Sequence, residues 1–164
     1  MGVWIKTYKV KEKASDKTDN DTFEEIESKY NHEGDIVERV HESDFISPFT
    51  GGIYVLESVS NNFFQMSYSG YGDFIQALEN IREESNDISA FGTTLRVSGI
   101  DGSVSYQFAE EILHELEEHR EDAEKYFFKS WIHDDWSEFM MGRYCQYIRI
   151  AMDCVECKGI INYS

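Results

Sequence analysis

Residues 52–81 read GIYVLESVSNNFFQMSYSGYGDFIQALENI, and this stretch decides the fold class. Gly52 to Ser58 is rich in β-branched and aromatic side chains, and apolar residues alternate with polar ones from Phe64 to Tyr68, so both runs predict strands. Asn61-Asn62 lies between them and predicts a hairpin turn, because asparagine tolerates positive φ.

A helix is predicted directly after the second strand. We expect the strand to continue through Gly70-Tyr71-Gly72. Asp73 with Gln76 forms a capping-box pattern, which marks a helix start. The apolar residues that follow have helical spacing and predict one buried stripe: Phe74, Ala77, Leu78 and Ile81.

The N-terminal side adds a strand and a short helix. Val3 to Val10 alternates as a strand does, and Lys11 to Asn20 is polar and predicts a loop. Asp21 with Glu24 forms a second capping box, followed by a helix with one apolar stripe. Residues 31–48 fit a short helix and a strand equally well.

The C-terminal side predicts two strands and two long helices. Thr93 to Ile100 has the pattern of a strand, closed by a turn at Asp101-Gly102. Ser105 to Lys129 predicts one long helix, and Asp135 with Glu138 predicts the cap of the last helix. Gly159 suits the end of that helix, after which residues 160–163 return as a strand.

This order predicts a single α+β domain over residues 1–164. We expect a mostly antiparallel sheet, built from hairpins and covered on one face by the two long C-terminal helices. A chain of 164 residues is long enough to bury a sizeable core.

Charge and composition limit the classes of partner. The chain has 32 acidic and 15 basic residues, a net charge of −17, which disfavours direct binding of nucleic acid or of an anionic membrane. No segment has the roughly 20 apolar residues that span a bilayer. The three cysteines are an odd number, and the N-terminus lacks the pattern of a secretory signal. We therefore expect a cytoplasmic protein, of undetermined oligomeric state.

Three segments resemble a group of small uncharacterised bacterial and phage proteins, the third being the glycine and short apolar tail that close the last helix, Gly159 to Tyr163. The first is the run from Phe64 to Phe74, which is similar to a strand, glycine-rich turn and helix in that group. The second is the run from Leu95 to Ser103, followed by an acidic helix, where the group has an Asp-Cys-Glu-Gly turn that is reduced here to Asp101-Gly102. The resemblance implies an α+β fold and a bacterial or prophage origin, and it implies no activity.

Metal and cofactor motifs are incomplete. His114 and His119 are five residues apart, so a regular helix rotates their rings roughly 140° from each other, too far to share one zinc ion. Cys154 and Cys157 have the spacing of a zinc hairpin, but the chain has no second such pair, and we interpret both as small buried side chains. We expect no metal, no cofactor and no catalytic residue.

A ligand site at the predicted glycine turn is the alternative hypothesis. Gly70-Tyr71-Gly72 before a helix is typical of turns whose amides bind phosphate, although it lacks a third glycine and a lysine. Together with the acidic turn further along the chain it predicts a small-molecule or enzyme site formed by Tyr68, Tyr71, Asp73 and Asp101.

The leading hypothesis rests on an acidic run. Residues 110–124 contain eight carboxylates and one arginine, a local charge of −7. On the predicted helix these carboxylates fall off the apolar stripe: Glu110, Glu111, Glu115, Glu117, Glu118, Glu121, Asp122 and Glu124. A solvated helix surface is the plain interpretation. Because like charges at this spacing repel, a basic protein partner would relieve them, which favours a non-enzymatic interaction protein of the immunity or inhibitor kind.

Overall fold

The computed structural model describes residues 1–30, 34–129 and 134–164. The chain has an α+β arrangement, as the sequence predicts, with three consecutive strands before α2 and three consecutive helices before the last strand. The strands are β1 (Gly2–Ser15), β2 (Asp35–Val40), β3 (Gly52–Ser58), β4 (Phe64–Ser67), β5 (Gly102–Ser105) and β6 (Ile160–Tyr163). The helices are α1 (Asn20–Lys29), α2 (Tyr68–Glu84), α3 (Gly92–Val97), α4 (Tyr106–Glu118), α5 (Arg120–Lys129) and α6 (Asp134–Cys157).

All strands belong to one antiparallel sheet with the order β2-β3-β1-β6-β5, and β4 also pairs with β1. The predicted hairpin at Asn61-Asn62 is wrong, because β3 and β4 do not pair with each other. β1 is long enough to pair with β4 through residues 2–5 and with β3 through residues 8–15, both on the edge opposite β6.

The two faces of the sheet carry separate apolar clusters. Ile5 of β1 and Ile161 of β6 belong to the main core, which they share with side chains of α2, α4, α5 and α6. Tyr8 of β1 and Ile160 of β6 point to the opposite face, since side chains alternate along a strand. They pack there in a smaller cluster with residues 46 and 49 of the loop between β2 and β3.

The N-terminal predictions need two corrections. β1 continues to Ser15 through the segment that predicted a loop, because its pairing with β3 extends that far. α1 begins after Asp19, whose carboxylate accepts a hydrogen bond from the Thr22 amide at 2.9 Å, so the cap lies two residues before the predicted one at Asp21. The ambiguous segment 31–48 contains a strand, β2.

The glycine turn predicted before α2 does not exist. Ser67 caps the helix, and its hydroxyl accepts the Gly70 amide hydrogen at 3.1 Å. Gly70 and Gly72 therefore lie inside α2, and the predicted cap at Asp73 is more than a turn too late. A serine at the end of a strand competes for the same role as an aspartate, which explains the error.

The predicted strand Thr93–Ile100 is a short helix, α3. Its β-branched residues favour a strand locally, but the amides of Thr93 and Thr94 donate to the Glu115 carboxylate of α4. A carboxylate at a helix N-terminus stabilises the free amides there. This cap comes from a residue more than 20 positions away, so the local pattern could not show it.

The predicted helix Ser105–Lys129 is two helices. The break is at His119, which ends α4 with a non-helical φ of −102° and ψ of 16°. Its carbonyl still accepts the Ala123 amide hydrogen at 2.9 Å, so α5 starts without a loop. The apolar residues of both helices remain on the side of the core.

The last helix and strand follow the prediction closely. α6 begins at Asp134, so the predicted cap Asp135 lies one residue inside it, and residues 130–133 lie outside the described part of the chain. Lys158, with φ of 49°, makes the left-handed turn after α6. Gly159 is required for another reason: a Cβ there would lie 2.0 Å from the Tyr8 carbonyl oxygen of β1.

Candidate functional site

Six of the eight carboxylates between residues 110 and 124 are exposed, and five of these have no hydrogen bond to α3. Around α4, the three carboxylates on its outer side fall within a sector of roughly 100°. The two on α5 are three residues apart and share a face. We define the acidic surface as the exposed carboxylates without a hydrogen bond to α3: Glu110, Glu117, Glu118, Glu121 and Glu124.

In the part of the chain that the structure describes, lysines and arginines do not neutralise the acidic surface. Among the described residues, no lysine or arginine lies within ion-pair distance of any of the eight carboxylates. The N-terminal lysines pair elsewhere, for example Lys11 with Asp35 at 2.8 Å. Glu118 has the exposed His114 at 3.6 Å. The repulsion expected from the sequence is therefore present in the folded chain.

The other three carboxylates have internal partners, so the expectation that all eight face water is wrong. Glu115 is half-buried and accepts hydrogen bonds from the amides of Thr93 and Thr94, the closest at 2.7 Å. Burial raises the pKa of Glu115, and these hydrogen bonds oppose the shift. Glu111 accepts from the Thr93 hydroxyl at 3.0 Å. These two side chains hold α3 against α4.

Asp122 belongs to a cluster around His119 at the break between α4 and α5. His119 is 6% exposed, so its ring lies inside the protein. Its Nδ1 lies 3.0 Å from Asp122, its Nε2 lies 3.4 Å from Asp87, and the ring packs on Phe91 at 5.2 Å. Both nitrogens thus face carboxylates, which explains how a polar ring is accommodated inside the core.

A shallow groove of about 300 Å³ lies at the start of α2. Tyr68, Tyr71 and Asp101 line it together with residues 98–100, so three of the four residues of the alternative hypothesis meet there. Asp73 is exposed and does not line the groove. Tyr71 donates its hydroxyl hydrogen to the Ser98 carbonyl at 3.1 Å, and burial raises its pKa. The phosphate-cradle interpretation is wrong, since the Gly70 amide already bonds Ser67.

A second cleft, of about 370 Å³, lies between β2 and β6. We call it the β2–β6 cleft. It is lined by Phe23 of α1, by Glu38, Arg39 and His41 in and after β2, by Asp101 and Gly102, and by residues 162–164 in and after β6. Asp101 and Ser164 line both this cleft and the groove at α2.

The β2–β6 cleft exists because the sheet is strongly curved. The side chain of Asn162 on β6 lies close enough to Glu38 on β2 to lower the pKa of its carboxyl group. In the strand order these strands are three positions apart, which in a flat sheet would separate them by about 14 Å. Coiling of the sheet brings them together. Along each strand the neighbouring side chains on this face, Val40 and Ile160, belong to the smaller apolar cluster beside the cleft.

The sequence pointed to only one residue of this cleft, Asp101. Residues 31–48 allowed either a helix or a strand, so the side on which Glu38 projects could not be assigned. The alternation of β2 as a strand would place Ile36, Glu38 and Val40 on one face, with the charged residue between two apolar ones. That pattern is the signal that could have found it.

The cysteines are packed rather than exposed. All three are free thiols, with Cys154 fully buried and Cys145 and Cys157 partly buried. Burial raises the pKa of both Cys154 and Cys157, which makes their thiolates scarce at neutral pH. Within the described residues, no cluster of three or more histidine, cysteine or acidic side chains has the arrangement of a metal site.

Comparison with protein-family models, with curated proteins and with solved structures found no match to this chain. The resemblance of residues 64–74 and 95–103 to small bacterial and phage proteins stays a prediction. In the described part of the chain, none of the helices combines the length and hydropathy needed to cross a bilayer.

Proposed function

We propose that the protein is a non-enzymatic interaction factor whose acidic surface binds a basic surface on a protein partner. The observation that supports this proposal is the set of five exposed carboxylates with no lysine or arginine paired to them among the described residues. Carboxylates at three- and four-residue spacing cost a helix a few tenths of a kcal/mol per pair. A cationic partner removes that cost on binding.

The rigid placement of these carboxylates supports the proposal further. α4 packs on α6 and on the sheet through Ala109, Ile112 and Leu116, which are fully buried. Glu111 and Glu115 tie its inner edge to α3. The exposed carboxylates therefore stand on a fixed frame, which lowers the entropy lost when a partner binds.

An immunity or inhibitor role is the specific form of the proposal. Enzymes that act on nucleic acid carry basic clefts for phosphate, and an acidic protein surface is complementary to such a cleft. Charge complementarity makes a basic protein the expected partner, and it disfavours nucleic acid and anionic membranes. Charge steering of this kind makes association fast and strongly dependent on salt.

A charge-reversal experiment tests the proposal. The variant carries Glu110→Lys, Glu117→Lys, Glu118→Lys and Glu121→Lys. The matched control reverses four exposed carboxylates elsewhere and changes the net charge equally: Glu24→Lys, Glu27→Lys, Glu79→Lys and Glu156→Lys. Proteins captured from lysate are identified by mass spectrometry, and the purified pair is then reconstituted and its affinity measured.

We expect the wild-type protein and the control to bind the same purified partner, and the α4–α5 variant to lose on the order of 100-fold in affinity. Equal binding by all three proteins would contradict the proposal, as would a partner whose own surface is acidic. Circular dichroism of each variant checks that the helices are intact.

Small-ligand binding at the groove beside α2 is a second candidate function. It is supported by the convergence of Tyr68, Tyr71 and Asp101 on one groove. Tyr68 is 62% exposed, so its ring is free to stack on a ligand. Tyr68→Ala and Asp101→Asn should abolish binding in a fluorescence screen of small aromatic compounds, and the α4–α5 charge reversal should leave it unchanged. Binding that survives both substitutions contradicts this function.

A further inference from the structure

The β2–β6 cleft contains opposite charges that do not pair with each other. Glu38 and Asp101 bring two carboxyl groups to it, and Arg39 brings a guanidinium group. Among the described residues, no lysine or arginine is within ion-pair distance of either carboxyl. The two carboxyl groups and the guanidinium group therefore lie around the cleft without forming an ion pair with one another.

Arg39 is fixed in place by α1. Its guanidinium lies over the Phe23 ring at 4.4 Å, and one of its terminal nitrogens donates to the Asn20 side chain at 2.7 Å. Its Nε is buried and has no hydrogen-bond partner. Because Nε has no accessible surface, a ligand's carboxylate would have to bond the terminal nitrogen of Arg39 that does not bond Asn20.

Glu38 is held in the opposite wall. Its carboxyl group is partly buried and lies near the Asn162 side chain. Burial raises the pKa of Glu38, and the charge of Asp101 adds to the shift, whereas His41 and Arg39 oppose it. Tyr8 lies close enough for its own pKa to be raised by burial and by Glu38. A cationic group between Glu38 and Asp101 would reverse the unfavourable contribution of their two charges.

We propose that the β2–β6 cleft binds a small zwitterion of the amino-acid class, with its ammonium group against Glu38 and Asp101 and its carboxylate against Arg39. The volume of about 370 Å³ accommodates a molecule of that size. The ring of Phe23 forms an apolar part of the wall for the ligand's side chain. This site is separate from the acidic surface and goes beyond the proposed docking function.

The test uses the purified full chain and each proteinogenic L-amino acid in turn, at roughly 10 mM, which detects Kd values in the millimolar range. Ligands that raise the melting temperature are titrated by calorimetry. Two probes carry a single charge each: n-butylamine, which is only a cation, and butyrate, which is only an anion. We expect at least one amino acid to bind saturably and neither single-charge probe to match it.

Glu38→Gln keeps the size of the side chain and removes its charge, so it should weaken amino-acid binding by about tenfold or more. Asp101→Asn, at an exposed position that does not threaten folding, should weaken it as well. Glu57→Gln on β3, outside the cleft, is the matched control and should bind as the wild-type protein does. The charge reversal on α4 and α5 should also leave this binding unchanged.

Three results would overturn the proposal. The first is the absence of binding by any amino acid. The second is equal binding of n-butylamine, which would make the cleft a site for cations alone. The third is unchanged affinity in Glu38→Gln, which would place the ligand elsewhere, because Asp101 also lines the groove beside α2 and Asp101→Asn does not separate the two sites.

Discussion

Helix α4 carries the same residue type on two sides with opposite consequences. On the inner edge, the Glu115 carboxylate is half-buried and accepts hydrogen bonds from two backbone amides of α3. On the outer side, Glu110 and Glu117 are exposed, and no lysine or arginine in the described chain pairs with them. The inner carboxylates determine where α3 lies. The outer ones contribute nothing evident to the fold, which leaves them available for a partner.

The sharpest test of this difference is truncation on the inner edge. Glu115→Ala removes the acceptor for the Thr93 and Thr94 amides and should lower the free energy of unfolding by about 1–2 kcal/mol. Glu117→Ala, two residues away on the outer side, should change it by less than about 0.5 kcal/mol. Urea unfolding followed by circular dichroism measures the free energy of unfolding of both variants. Equal losses would contradict the proposed difference between the inner edge and the outer side of α4.

Truncation in the cluster around His119 should lower the free energy of unfolding by less than Glu115→Ala does. Asp122→Ala removes the carboxylate 3.0 Å from His119 Nδ1. It should lower the free energy of unfolding by about 1 kcal/mol, because this buried nitrogen then loses its hydrogen-bond partner. The neighbouring Glu121→Ala, which has no such partner, is its control. If Asp122→Ala unfolds at the same urea concentration as Glu121→Ala, the cluster does not stabilise the break.

The pH dependence of the free energy of unfolding should also distinguish the inner edge of α4 from its outer side. The pKa of Glu115 is raised in the folded chain by burial, and the charge of Glu111 adds to that shift. The folded state therefore binds this proton more tightly than the unfolded state, and stability declines as pH rises above about 4.3, the ordinary glutamate value. Glu115→Gln should lack this decline, and Glu117→Gln should keep it. Identical pH profiles for both variants would argue against the burial of Glu115.

The smallest expected effect is a gain in the free energy of unfolding. Glu117→Gln removes one charge from a repelling set and should raise the free energy of unfolding by a few tenths of a kcal/mol. The gain should fade as sodium chloride is added, because salt screens exposed charges. Thermal melts at low and high salt measure it. A loss of stability at low salt would mean that Glu117 has a stabilising partner in the protein.

Features that depend on periodicity could be predicted from the sequence. The apolar stripes of α2, α4 and α6, the strands β3 and β6 and the α+β class all follow from spacing, because a helix and a strand repeat their buried side at different intervals. The acidic surface follows in the same way, since residues off an apolar stripe face solvent.

Features that depend on distant contacts could not be predicted. The segment 93–97 forms a helix because Glu115 caps it from another helix. At the helix break, His119 contacts Asp87, which lies in a loop more than 30 residues earlier. Glu38 meets Asn162 only when the sheet coils. In each case the deciding partner is remote in sequence, and no local pattern reports it.

The affinity of the purified complex as a function of salt tests the central claim most directly. For the wild-type protein and its basic partner, we predict that the Kd rises steeply as sodium chloride is increased, and that the four-residue reversal on α4 and α5 both weakens binding and flattens this dependence. The matched reversal of Glu24, Glu27, Glu79 and Glu156 should preserve most of the wild-type affinity. A complex whose Kd is insensitive to salt and to the α4–α5 reversal would contradict the account.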